Sequence, residues 1–196
     1  MRTKTPALED RKLEAAARLF GTQRFHEVRM EDIAAEAEVG KGTIYRYFGD
    51  KEELYKALLA RSSGQLLGRL HDELAHGDSP RVQLVRVVAS VIGFFDERPH
   101  LFDLIQRAEV MQGPGFLWRE TRLELIRLVN GLFEACKATG AFAIRDPELT
   151  TFLLLGGIRT VIRFGKQPRP RDLAEQIVDT FLHESLNSKN NKNSKN

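Results

Sequence analysis

Residues 31–59 read "EDIAAEAEVGKGTIYRYFGDKEELYKALL", and no other stretch limits the possible folds so tightly. Two short helical runs meet at a Val-Gly-Lys-Gly break, and a third, longer run follows Gly49 and Asp50. Met30, Ile33, Ala34 and Ala37 recur at helical spacing, and Val39, Ile44 and Phe48 continue an inward face beyond the break. Ala34 and Ala37 are small enough for two helices to cross closely. The pattern predicts a short helix, a tight turn and a second short helix over residues 29–48, the helix-turn-helix arrangement.

Helical punctuation continues along the whole chain, and no segment shows convincing strand alternation. Thr5 as N-cap and Pro6 at the first helical position open a helix with Leu13, Ala16, Ala17 and Phe20 on one stripe, and Gly21 is its expected C′ stop. Asp50 caps a long helix expected to reach about residue 75, with Glu52 and Glu53 at its positive end. Further helices are expected over Val82–Phe95, Leu101–Met111, Phe116–Ala138, Leu149–Phe164 and about Asp172–Leu186. The fold class is therefore all-α. Residues 1–50 are expected to form an N-terminal helix-turn-helix domain, residues 51–186 a larger helical body, and 187–196 a polar, low-complexity tail expected to be disordered.

The second short helix carries the chemistry. Gly40 serves as its N-cap, so the first backbone N–H groups face outward toward an anion. Gly42 lets a backbone or base edge approach closely. Lys41 and Thr43 lie near the helix start, where base edges are reached in a major groove. Tyr45, Arg46 and Tyr47 supply hydroxyl and guanidinium donors for phosphates, and Lys51 extends the same surface. The same cluster also fits a half-buried helix face. Net charge does not decide between them: the chain carries a formal +3, but within residues 1–60 cations and anions balance one for one.

The run "RKLEAAARLFGTQRFHEVRMEDIAAEAEVGKGTIYRYFGDKEELYKALL", residues 11–59, resembles the N-terminal domain of the tetracycline-repressor (TetR/AcrR) family of bacterial transcription regulators. The likeness lies in Phe20-Gly21, Ile33-Ala34, Val39, "GTIYRYF" and "KEELY" in fixed spacing. It implies a homodimer that binds double-stranded DNA and senses a small-molecule effector. By position it implies DNA contacts from Lys41, Gly42, Thr43, Tyr45, Arg46, Tyr47 and Lys51. Three residues depart from the pattern. Arg29 stands where threonine usually caps and touches phosphate, Glu38 where the turn glycine usually sits, and Gly40 where serine is common. Arg29 is expected to make a charged DNA contact while capping poorly, and Glu38 implies a strained φ or a changed turn.

In the body, Gly156 and Gly157 interrupt "TFLLLGGIRTVIRF", each at about 0.5–1 kcal/mol relative to alanine. Close approach of a partner helix offsets that cost, so these glycines, with Leu173, Ile177 and Phe181 of the last helix, are the expected dimer interface; a local kink is the other explanation. Phe94, Phe95, Phe102, Met111, Phe116, Trp118 and Phe133 are candidate walls of an effector pocket, and Arg107 a candidate anchor for an anionic ligand. Each also fits ordinary core packing, and Arg107 a pair with Asp103.

No catalytic residues, metal site or cofactor are expected. His71 and His76 are five apart, on different faces of a helix, and neither a P-loop nor a dinucleotide loop is visible. One cysteine, Cys136, builds no internal disulfide, and no apolar run reaches the ~18 residues a membrane span needs. The expected location is the cytoplasm, without membrane association. The expected activity is effector-responsive repression at a near-palindromic operator. Two alternatives fit the same residues: a helical small-molecule-binding or enzymatic protein that has lost DNA binding, and an activator or co-repressor-dependent regulator of the same fold.

Overall fold

The computed structural model describes residues 6–110 and 116–182, with side chains over 9–106 and 119–182. Met111, the tail at 187–196 and the side chains of Arg107, Phe116 and Trp118 lie outside the described residues. Those residues hold nine helices: α1 (Pro6–Thr22), α2 (Met30–Glu36), α3 (Lys41–Phe48), α4 (Lys51–Leu74), α5 (Pro80–Asp96), α6 (Pro99–Val110), α7 (Phe116–Ala138), α8 (Pro147–Phe164) and α9 (Leu173–Phe181). Four of them begin on proline, whose fixed φ and missing N–H suit the first helical position. Asp146 caps α8 by accepting from the Leu149 backbone N–H at 3.0 Å, and Asp50 caps α4 through Glu53 at 2.8 Å.

Two compact units divide the chain: residues 1–65 with 97–121, and 66–96 with 122–196. In the first unit α1 packs on α2 and α6, and α2 crosses α3. Leu13, Ala16, Phe20, Ile33, Ala34, Ala37, Ile44, Leu54 and Leu58 are buried there. Phe20, Phe25 and Tyr55 form a ring cluster with centroids 5.2–5.4 Å apart, and the Tyr55 hydroxyl donates to the Leu104 carbonyl at 3.1 Å. The cluster anchors the loop between α1 and α2.

Gly21 is not the helix stop that its place in the sequence suggests. It lies inside α1, which runs on to Thr22. A Cβ built at Gly21 would stand 2.3 Å from the Cβ of His100, so the missing side chain is what lets α6 lie against α1. Gly21→Ala is therefore expected to destabilise the protein by about 1–3 kcal/mol, read as a lower midpoint in denaturant.

In the second unit α5 packs on α8 and α9. Its Leu84, Val87, Val88, Val91, Phe94 and Phe95 are buried, with Phe133, Cys136, Leu154, Ile158 and Val178 among the other buried apolar residues. Arg169 binds Asp96 through Nε at 3.0 Å and Nη2 at 2.9 Å, and donates to the Val161 carbonyl at 2.8 Å. One nearly buried guanidinium thus ties the end of α5 to the end of α8.

Candidate nucleic-acid interface

α2 starts without a side-chain cap from Arg29, but the reciprocal half of a capping box is present: Asp32 accepts from the Arg29 backbone N–H at 3.1 Å. That bond supports the helix start and leaves the exposed Arg29 guanidinium unused in capping. At the other end the Val39 N–H bonds the Ala34 carbonyl at 2.8 Å and the Glu38 N–H bonds Ala35 at 3.0 Å. These are the two bonds of a Schellman motif, with Glu38 at the left-handed position, φ 52°. Arg11 braces the turn, donating to the Ala37 carbonyl at 2.6 Å and to the Glu38 carboxylate at 3.1 Å. Glu38 thus keeps the turn that glycine usually makes. Glu38→Gly relieves the left-handed strain and gives up only an exposed ion pair, so a gain of about 0.5–1 kcal/mol is expected in denaturant unfolding.

α3 is held from below by Ile44, fully buried, and Phe48. Gly40 caps it with extended backbone and no side-chain bond, so its leading amides look outward. Lys41, Gly42, Tyr45 and Arg46 are exposed; Thr43 and Tyr47 are half-buried. A Cβ on Gly42 would meet nothing within 4 Å, which leaves open space over the start of the helix. Gly49, φ 64°, ends α3 and turns the chain into α4.

Three contacts were not foreseeable from spacing. Glu31 of α2 forms an ion pair with Lys41, and the Tyr45 hydroxyl donates to the same carboxylate oxygen at 3.4 Å. The Lys41 bond, first among several contributions, pulls the Glu31 carboxyl below its ordinary value and pushes the Lys41 ammonium up, so both stay charged. Beneath Tyr47 lies the fully buried Lys12, its Nζ 3.0 Å from the ring centroid. Lys51 donates to the carbonyls of Phe25 at 2.6 Å and Val28 at 2.9 Å. Two of its three donors therefore hold the loop before α2, and the ammonium also stands 4.6 Å from the Phe25 ring centroid.

The remaining candidate residues are dispersed. Phe94, Phe95 and Phe133 are buried in the second unit, with the rings of Phe94 and Phe95 edge-on at 5.4 Å; Phe102 is buried in the first. Gly156 and Gly157 are exposed on α8, and Leu173, Ile177 and Phe181 are half-buried on α9. Large apolar residues missed by the sequence reading stand beside the glycines: Leu149, Phe152 and Leu153 are 54%, 49% and 57% exposed. Their spacing puts them on the glycine face, a signal already present in "LTTFLLLGG".

A crossed helix pair with an open, polar helix start above a buried apolar face defines a helix-turn-helix DNA-binding protein. A family model described as bacterial regulatory proteins, tetR family, matches residues 13–58. The fatty acid metabolism regulator protein of Bacillus subtilis is 24% identical over 147 residues, 75% of this chain and 69% of that protein. Among solved structures, a TetR-like transcriptional regulator from Rhodococcus sp. RHA1 superposes with a TM-score of 0.77 at 28% identity, covering 92% of this chain and 96% of the other. AibR, solved in complex with isovaleryl coenzyme A and operator DNA, has a TM-score of 0.72 at 19% identity, covering 88% and 95%, a likeness of fold. Residues 13–58 thus form a tetR-family DNA-binding module, the fold of the chain is that of TetR-like regulators, and the protein is a DNA-binding transcriptional regulator.

Proposed function

We propose that this chain acts as a homodimeric, effector-responsive repressor, with residues 1–50 as the DNA-binding part and 51–186 as the sensing and pairing body. The observation that carries this reading is the start of α3. Ile44 and Phe48 fix its inner face, while Lys41, Gly42, Tyr45 and Arg46 stand exposed above them. We assign Lys41, Thr43 and Arg46 to base edges. Tyr45, Tyr47, Lys51, the Arg29 guanidinium and the peptide at Gly42 go to the phosphate backbone. Two copies would place two α3 helices in successive major grooves, about 34–36 Å apart, on a near-palindromic site.

The exposed apolar face of α8 supports the pairing. Leu149, Phe152 and Leu153 stand beside two glycines that allow close helix approach, and Leu173, Ile177 and Phe181 of α9 flank the same element pair. For the effector, the apolar interior of the second unit around the buried Phe94, Phe95 and Phe133 is the proposed seat. Arg107, Met111, Phe116 and Trp118 remain proposals from sequence, as does Phe102 of the first unit. AibR was solved with isovaleryl coenzyme A, and the Bacillus relative is named for fatty acid metabolism, so an acyl-CoA is the first effector class to test. Binding would shift dimers toward a spacing that no longer fits DNA. Among the described residues no helix is long and apolar enough to cross a membrane.

A mobility-shift assay with duplex fragments from beside the chain's own gene tests the reading. A retarded band that fades steeply with salt and is released by acyl-CoA is expected. Absence of a shift at about 50 mM salt with every such fragment would overturn it.

A further inference from the structure

The carboxylate on the proposed reading face carries an inference that rests on that DNA-binding assignment. Glu31 belongs to α2, not to the helix that enters the groove, and it is only half-buried. Both of its contacts with α3, from Lys41 and from the Tyr45 hydroxyl, fall on the same oxygen, Oε1. A carboxylate offers about four lone-pair sites over its two oxygens, so acceptor capacity remains. An acid in this place opposes phosphate and accepts from an exocyclic amino group, cytosine N4 above all, in the major groove. Meanwhile it occupies the one lysine at the α3 start that would otherwise neutralise any phosphate within reach.

We propose that Glu31 is a specificity-determining residue: it holds Lys41 and Tyr45 in one arrangement, suppresses binding to arbitrary duplex and rewards sites that present an amino donor to its carboxylate. Arbitrary DNA offers Lys41 only phosphates, and taking them breaks the Glu31 pair and brings a carboxylate toward the backbone. A matching site satisfies both charges together. Affinity is thus traded for discrimination, the arrangement by which specific binders reject competitors.

Selection from a random duplex library by the wild type, Glu31→Gln and Glu36→Gln tests this. The glutamine keeps the shape of the side chain and removes its charge. Glu36, on the same helix and paired with Arg18 at 2.9 Å, makes the same change in net charge away from Lys41. The wild type is expected to enrich a two-fold-related sequence, and Glu36→Gln the same one. Glu31→Gln is expected to enrich it weakly, with the ratio of affinities for the enriched and a scrambled duplex at least tenfold lower. Its binding to the scrambled duplex should tighten, with a salt slope steeper by about two per dimer, one newly freed lysine per protomer. The thermal midpoint should not move, because the residue is at the surface. Should Glu31→Gln enrich the wild-type sequence with an unchanged affinity ratio, Glu31 is only a surface ion pair and the inference fails. Should the wild type enrich nothing, the DNA-reading assignment itself fails, and this inference with it.

Discussion

Replacing Lys41 and Tyr45 together by alanine is expected to lower affinity for the enriched duplex by at least about 100-fold and to flatten its salt dependence. A direct base contact is worth about 1–3 kcal/mol, and a homodimer loses each contact twice, so a loss of about 3 kcal/mol or more is the modest end of the range. Lys41 is the one cation of the pair, and losing its charge from the groove between the phosphate strands lowers the salt slope by up to about 0.9 per protomer. Neither side chain is part of the core: both are exposed, and α3 is held by Ile44 and Phe48. Thermal unfolding should therefore be close to that of the wild type, which separates this pair from Lys51. Alanine at Lys51 removes two hydrogen bonds to the Phe25 and Val28 carbonyls, so any loss of DNA affinity there mixes binding with folding. Titration of the double variant by fluorescence anisotropy at several salt concentrations checks the expectation, and unchanged affinity with an unchanged slope would place the contacts elsewhere.

The second large effect belongs to α8. Phe152→Glu with Leu153→Glu is expected to halve the mass in sedimentation and to abolish tight operator binding. Both residues are about half exposed in the single chain, so the charges cost its fold little. In a paired face the same carboxylates, two per protomer, are buried without partners, which costs several kcal/mol. Operator affinity falls with the loss of the dimer because each half-site then binds on its own, without the second site's effective concentration; a fall of 100-fold or more is expected. Gly156 and Gly157 have open space around them, so bulk is tolerated in one chain and harmful only across a pair. If the double variant sediments as the wild type does, this face is not where two copies meet.

What could be read from residues alone was whatever depends on near neighbours. The bounds of α7 coincide with those expected, and α2 and α3 lie within the expected span 29–48 with α3 starting after its Gly40 cap, since glycine breaks and the apolar period are local signals. The end expected for α8, Phe164, is the end observed, while its start is set two residues earlier than expected, at Pro147, behind the Asp146 cap. The failures lie where distant segments meet. Gly21 reads as a stop because glycine usually is one, whereas its use depends on His100, far along the chain. Lys12 sits in a polar slot of α1 and is nevertheless fully buried under Tyr47. Lys51 has the position of a phosphate ligand, yet most of its donors serve the loop before α2. Glu31 and Lys41 become partners only because α2 crosses α3 at a particular angle, which no spacing specifies. The residues proposed for the reading surface could thus be picked out one by one, while their mutual arrangement could not.

In the proposed complex the start of α3, carried twice by a dimer, enters the major groove. Guanine N7 lies in that groove, so dimethyl sulfate protection on the enriched duplex tests it most directly. Two protected clusters related by two-fold symmetry are expected, with centres about 10–10.5 base pairs apart, both lost with the Lys41/Tyr45 double variant. Tight binding that leaves every guanine N7 reactive, or protects a single cluster without symmetry, would contradict it.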